Sequence, residues 1–125
     1  MTENEISKEI VDASLKVHKQ LGPGLLESAY EECLAYELIQ RDLLIERQKV
    51  LPLVYEEVKL EAEYRIDLLV EKKVIIEIKS VESLNDVHLA QILTYLKLSD
   101  CKLGLLINFN VALIKHGIRR VVNKL

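Results

Sequence analysis

The stretch Ile76-Glu77-Ile78-Lys79 puts an acid and an amine two positions apart in a run otherwise suited to burial. Side chains alternate along an extended chain, so Glu77 and Lys79 share one face and Ile76 and Ile78 the other. The isoleucines can pack on a helix. A carboxylate and an ammonium on a strand of this kind demand partners or a task. Asp67 stands in the preceding extended run. If Glu71-Lys72-Lys73 forms the turn and Val70 pairs with Val74, Asp67 lies directly across from Glu77, and Arg65 across from Lys79. Facing carboxylates repel unless a proton or a cation lies between them. Mg²⁺ takes hard oxygen ligands, commonly one or two carboxylates with waters and phosphate oxygens. Lys79 beside such an ion would hold or activate an attacking water. Whether the two acids face each other depends on register, because a two-residue turn would send them to opposite faces. Alone, the acid-x-Lys pattern is more simply read as an exposed strand face with alternating charges.

Two more groupings carry polar side chains at helical spacing. In Gly24-Leu25-Leu26-Glu27-Ser28-Ala29-Tyr30, Glu27 and Tyr30 sit one turn apart on a shared face. The simpler account is that Glu27 favours the positive end of a helix dipole. Gln91 and Tyr95 are four apart, with His88 three before Gln91, giving a polar stripe beside an apolar one. An ordinary amphipathic helix explains that stripe too, and a lone His is commonly a surface or hydrogen-bonded residue.

These residues need elements to hold them. Ile6, Ile10, Ala13, Val17 and Leu21 recur at threes and fours, which predicts a helix. Thr2 and Glu5 suit a capping box at its start, and Gly22-Pro23-Gly24 stops it. A second helix is expected from about Leu25 to Arg41, with Leu26, Tyr30, Cys33, Leu34 and Leu38 on one stripe. The period then shifts to two. Lys49 to Tyr55 and Val58 to Val70 read as strands joined at Glu56-Glu57, and Pro52 suggests an edge strand or a bulge. Val74 to Lys79 is a third strand. Ser83 to Ser99 returns to helical spacing through Leu89, Ile92, Leu93 and Leu96, and Lys102 to Phe109 reads as a buried strand. Gly117 to Val122 suits either a short strand or a helical turn. The expected order is ααβββαβ, an α/β arrangement with one sheet covered by helices.

The 125 residues suit one domain, and half of them are hydrophobic, a globular composition. No run of eighteen apolar residues occurs, and the acidic, polar beginning MTENEISKEI does not read as a signal peptide. Cys33 and Cys101 lie far apart among apolar neighbours, so two reduced thiols and a cytoplasmic location are expected. The net charge of −3 argues against a general nucleic-acid binder. After Asp100, however, there is no acid, while Lys102, Lys115, Arg119, Arg120 and Lys124 are all basic. That quarter can meet phosphate.

Together the motifs resemble the PD-(D/E)xK nuclease superfamily, and more closely its small GxxExxY family, whose motif stands as Gly24 to Tyr30. The resemblance runs through Tyr64-Arg65-Ile66-Asp67-Leu68, Ile76 to Glu82, Val87 to Gln91, Tyr95 to Lys97 and Gly104 to Phe109. It reaches Gly117 to Asn123 and covers almost the whole chain. It implies that residues 1–125 form one nuclease-like domain, a central mixed sheet flanked by helices. It implies a metal site of Asp67, Glu77, the Ile78 carbonyl and Glu27 for Mg²⁺ or Mn²⁺, with Lys79 orienting or deprotonating water. Tyr30, Gln91, Tyr95, Arg119 and Arg120 would support the site or touch substrate. The implied activity is metal-dependent hydrolysis of phosphodiester bonds, with DNA the expected substrate and a second copy or a protein partner completing the grip. The competing expectation is a non-catalytic module that binds nucleic acid or protein and keeps the nuclease fold.

Overall fold

The structure is a computed structural model and describes residues 1–125. Helix α1 spans Glu3–Leu21. Thr2 starts it: its hydroxyl accepts from Glu5 N at 3.1 Å, and its own N–H donates to the Glu5 carboxylate at 2.9 Å. Gly22, at φ +68°, ends it. Helix α2, Glu27–Gln40, buries Tyr30, Leu34 and Leu38 as expected, but leaves Leu26 exposed and buries Glu31 instead.

The strands differ from the expected ones at their breaks. β1 is Ile45–Leu51; it begins earlier than Lys49 and stops before Pro52, which has no N–H to continue a ladder. Val54–Tyr55 and Val58–Lys59, β2 and β3, form a separate small hairpin turning at Glu56-Glu57, closed by Leu60 N donating to Leu53 O at 3.0 Å. The run Val58 to Val70 is therefore divided, and β4 is only Tyr64–Val70. β5, Val74–Lys79, follows a turn in which Glu71 and Lys72 both have positive φ. Helix α3, Asp86–Ser99, is capped by Asn85 and His88 bonding to each other's backbone. β6 is Leu103–Asn108, and Ile118–Val122 settles as a strand, β7.

The main sheet has the order β1-β4-β5-β6-β7, with β5 and β6 parallel and the other pairs antiparallel. One face packs Leu68, Val70, Val74, Ile76, Ile78 and Leu105 against Ile6, Ile10 and Ala13 of α1 and Tyr30, Leu34 and Leu38 of α2. The other packs Ile66, Leu69, Ile75 and Leu106 against Ile92, Tyr95 and Leu96 of α3. Tyr95 thus belongs to the smaller core. No helix is long and apolar enough to cross a membrane. Cys33 and Cys101 are both free thiols.

Strict alternation fails at one place, and it fails in two neighbouring strands together. Ile66 packs toward α3 and Leu68 toward α1 and α2, although they are two residues apart. Ile45 and Leu51 in β1 divide in the same way. The pairing of β1 with β4 runs Arg47↔Leu68 and Lys49↔Ile66 but lapses between, at Gln48 and Asp67. Gln48 has φ +50°, a left-handed conformation costing a non-glycine residue roughly 1 kcal/mol. The even alternation read for 62–70 is corrected accordingly: the chain reverses its faces at Asp67.

Candidate functional site

The β4–β5 register is the one the three-residue turn requires, with Val70↔Val74 and Leu68↔Ile76 paired. Beyond that pair the ladder opens. Asp67 N donates to Glu77 Oε2 at 2.8 Å, and Ile78 N donates to Asp67 Oδ2 at 2.8 Å. Each acid therefore satisfies a backbone N–H of the other strand, in the position a ladder carbonyl would take. The expected Arg65–Lys79 pairing does not form, because the strands have parted there; Arg65 turns to Glu63 at 2.6 Å.

Glu77 is 5% exposed. Burial raises its pKa to about 8, and the Asp67 charge adds to the rise. Burial also raises Asp67, against the lowering effect of the Ile78 N–H bond, and the nearby Glu31 charge pushes the same way. Lys79 is half-buried at the end of β5, and its ammonium lowers both acids without cancelling either rise. The Tyr95 hydroxyl is pushed up by burial and then by the charges of Glu77 and Asp67.

The end of β5 is fixed from several directions. Buried Asn108 accepts from Val81 N at 3.1 Å and donates to Val81 O at 3.0 Å. Ser80 N donates to Glu27 Oε2 at 3.2 Å, and Ser80 Oγ donates to Leu25 O at 2.7 Å. Tyr30 is fully buried, stacked on Phe109 with ring centroids 4.5 Å apart. Its hydroxyl donates to Gly22 O at 2.6 Å and accepts from Leu25 N at 3.1 Å. Tyr30 thus clamps the loop that launches Glu27, and it is buried too deeply to meet a substrate.

A cavity of about 430 Å³ opens over Asp67, lined by Glu27, Ser28, Glu31, Gln48 and Asp67. Glu77, Lys79, Gln91 and Tyr95 do not line it: Glu77 is buried and accepts from the Asp67 backbone, Lys79 is half-buried at the end of β5, Gln91 is exposed on α3, and Tyr95 is in the core. His88 closes the α3 cap rather than a site. Arg119 is in register with Glu77 through Leu106, two strands and about 10 Å away on the same face. Arg120 points to the other face and donates to Asn4 Oδ1.

Glu31 and Gln48 were not among the candidates the sequence suggested. Glu31 takes Arg47 on Oε2, at 3.1 Å from Nη2, and Gln48 on Oε1. Its only early signal was an acid on a helix position that turns out to be buried. Gln48 gave none, since left-handed backbone is not readable from a glutamine.

The donor set fits a divalent cation in chemistry. Both Asp67 and Glu77 offer hard carboxylate oxygens, and both favour holding positive charge. Glu77 Oε1 makes no protein hydrogen bond, and no fully buried polar side-chain atom lacks a partner, so that oxygen is open to solvent. No three His, Cys, Asp or Glu side chains stand close enough together to share one ion as they are placed. Glu27 is turned toward Ser80, and Glu31 toward Arg47 and Gln48.

A mixed five-stranded sheet between two helical layers, opened at a pair of interlocked acids, defines an α/β nuclease-like fold. The chain matches the model of the PD-(D/E)XK nuclease superfamily over residues 4–121, and it belongs to that family. No curated protein and no solved structure gives a significant match.

Proposed function

We propose that the protein is a nuclease of the GxxExxY branch that hydrolyses phosphodiester bonds of nucleic acid, DNA in the first place, with Mg²⁺ or Mn²⁺. The observation that carries this reading is the interlocked pair of Asp67 and Glu77 at the opening of the β4–β5 ladder, one acid pushed up to about 8 by burial and by its neighbour. In this reading Asp67 and Glu77 hold the ion, with Glu27 and the Ile78 carbonyl as further ligands. A bound divalent ion supplies electrophilic pull on a phosphate oxygen and acidifies water. Lys79 orients the attacking water and offsets charge developing on the phosphate. Tyr30 and Ser80 keep Glu27 at the cavity, Tyr95 backs the acids, and Arg119 meets phosphate from the sheet edge; Gln91 and Arg120 act farther out. Residues 1–125 work as one unit in the cytoplasm, with a second copy or a protein partner adding grip.

One observation favours a second reading, a non-catalytic module that binds nucleic acid or protein on a retained nuclease fold: Glu27 and Glu31 are both engaged by protein donors. Incubation with single-stranded, double-stranded and structured DNA and with RNA, under Mg²⁺ and under Mn²⁺, separates the two. The nuclease reading expects cutting that Asp67→Ala abolishes together with the calorimetric heat of Mn²⁺ binding. Intact substrates that the folded protein still binds would hand the case to the module.

A further inference from the structure

Arg47 and Gln48 are consecutive residues of β1, and alternation should send them to opposite faces. Both nevertheless donate to the same carboxylate, Arg47 to Glu31 Oε2 and Gln48 to Glu31 Oε1. The left-handed φ of +50° at Gln48 makes this convergence geometrically available. The same Gln48 Nε2 also reaches Asp67 Oδ1 at 3.2 Å, so one carboxamide bridges two acids on different elements. Gln48 lies opposite Asp67 at the one place where the β1–β4 pairing lapses.

The chemistry of the bridge is specific. Two carboxylates lining one cavity repel, and some donor must hold them in place. A cationic donor on Asp67 would offset the charge that a metal needs. A neutral amide donates without doing so. The one cation among these contacts, Arg47, is spent on Glu31 and not on Asp67. Asp67 Oδ2 in turn accepts from Ile78 N, so the amide on Oδ1 and the backbone on Oδ2 fix both oxygens.

We infer that Gln48 is a positioning residue of the acidic site: its left-handed backbone delivers a neutral donor that holds Asp67 against Glu31 and keeps the Asp67 charge available to a cation. This deepens the proposed metal-dependent function and rests on it for the cation; the positioning itself can be read without metal.

Two variants separate the backbone from the amide and the amide from its neutrality. Gln48→Gly accepts φ +50° without strain but removes the donor. Gln48→Lys keeps a donor and adds charge. Amide hydrogen exchange of the metal-free protein is read at Ile78, whose N–H rests on Asp67, with Phe109 N, which donates to Lys79 O, as control. Gln48→Gly should speed exchange at Ile78 roughly tenfold and leave Phe109 unchanged. Gln48→Lys should keep Ile78 protected. With Mn²⁺ added, both variants should bind at least about tenfold more weakly by calorimetry. Parent-like exchange at Ile78 in Gln48→Gly, or equal acceleration at Phe109, overturns the positioning role. Parent-like Mn²⁺ binding by Gln48→Lys overturns the argument from neutrality. If the parent itself takes up no Mn²⁺, the metal reading fails, and with it the part of the inference about the cation; the exchange at Ile78 still decides the positioning.

Discussion

Glu77 holds its proton up to about pH 8 in the folded chain, against an ordinary value of 4.5. Between those values the native state binds more protons than the unfolded one, so stability falls as pH rises through this window and levels off above it. Asp67 shifts in the same direction and adds to the slope. Glu77→Gln removes the charge that burial penalises. In chelator at pH 8 the variant should melt a few degrees above the parent, and the two should converge toward pH 5. Thermal melts across pH measure this; identical slopes would mean that Glu77 is not the group responsible. Lys79 makes the complementary case. Its ammonium lowers both acids but cannot ligate a cation. Lys79→Ala should abolish cutting, leave the fold intact, and bind Mn²⁺ as well as or better than the parent, because a like charge has left. Retained cutting would remove Lys79 from the reaction.

At the scale of elements, the site is held by what surrounds the end of β5. Tyr30 ties the loop after α1 to the start of α2, and Glu27, the first residue of α2, reaches Ser80 just past Lys79. Tyr30→Phe keeps the stack on Phe109 but leaves Gly22 O and Leu25 N without their partner. It should cost about 1–2 kcal/mol in denaturant unfolding. It should also loosen Glu27, read as faster amide exchange at Ser80. An unchanged Ser80 amide would show that Glu27 is placed by the helix alone.

Across the whole molecule, the charge is uneven. The acids meet at the opened ladder, while Arg119 and Arg120 lie on β7 at one edge of the sheet. Arg119 shares the face of Glu77, whereas Arg120 is turned away to Asn4. Affinity for DNA should therefore fall with salt, and Arg119→Ala should reduce the slope of log K against log salt by about one unit, more than Arg120→Ala does. Equal slopes for all three proteins would place the DNA elsewhere. The thiols are a separate check on the same scale. Cys33 and Cys101 are unbonded, so unfolding without reductant should expose two reactive groups.

What the sequence determined by itself was what short-range rules control. The Thr2–Glu5 cap, the stop at Gly22 and the apolar stripe of α1 follow from residues within a few positions of one another. The register that brings Asp67 toward Glu77 follows from one three-residue turn, because pairing at Val70↔Val74 sets the pairs up to Leu68↔Ile76 and leaves the two acids next in line where the ladder opens. Membership of the PD-(D/E)XK superfamily, too, was legible, as several motifs in one order. Tertiary structure decided the rest. The reversal of faces at Gln48 and Asp67 and the burial of Glu31 depend on contacts between residues far apart in sequence. So does the separation of Gln91 from the cavity, which is set by where α3 lies on the sheet. A glutamine carries no local preference for φ +50°. It is held there in company with Glu31 and Asp67, from other elements, which accept both of its amide bonds.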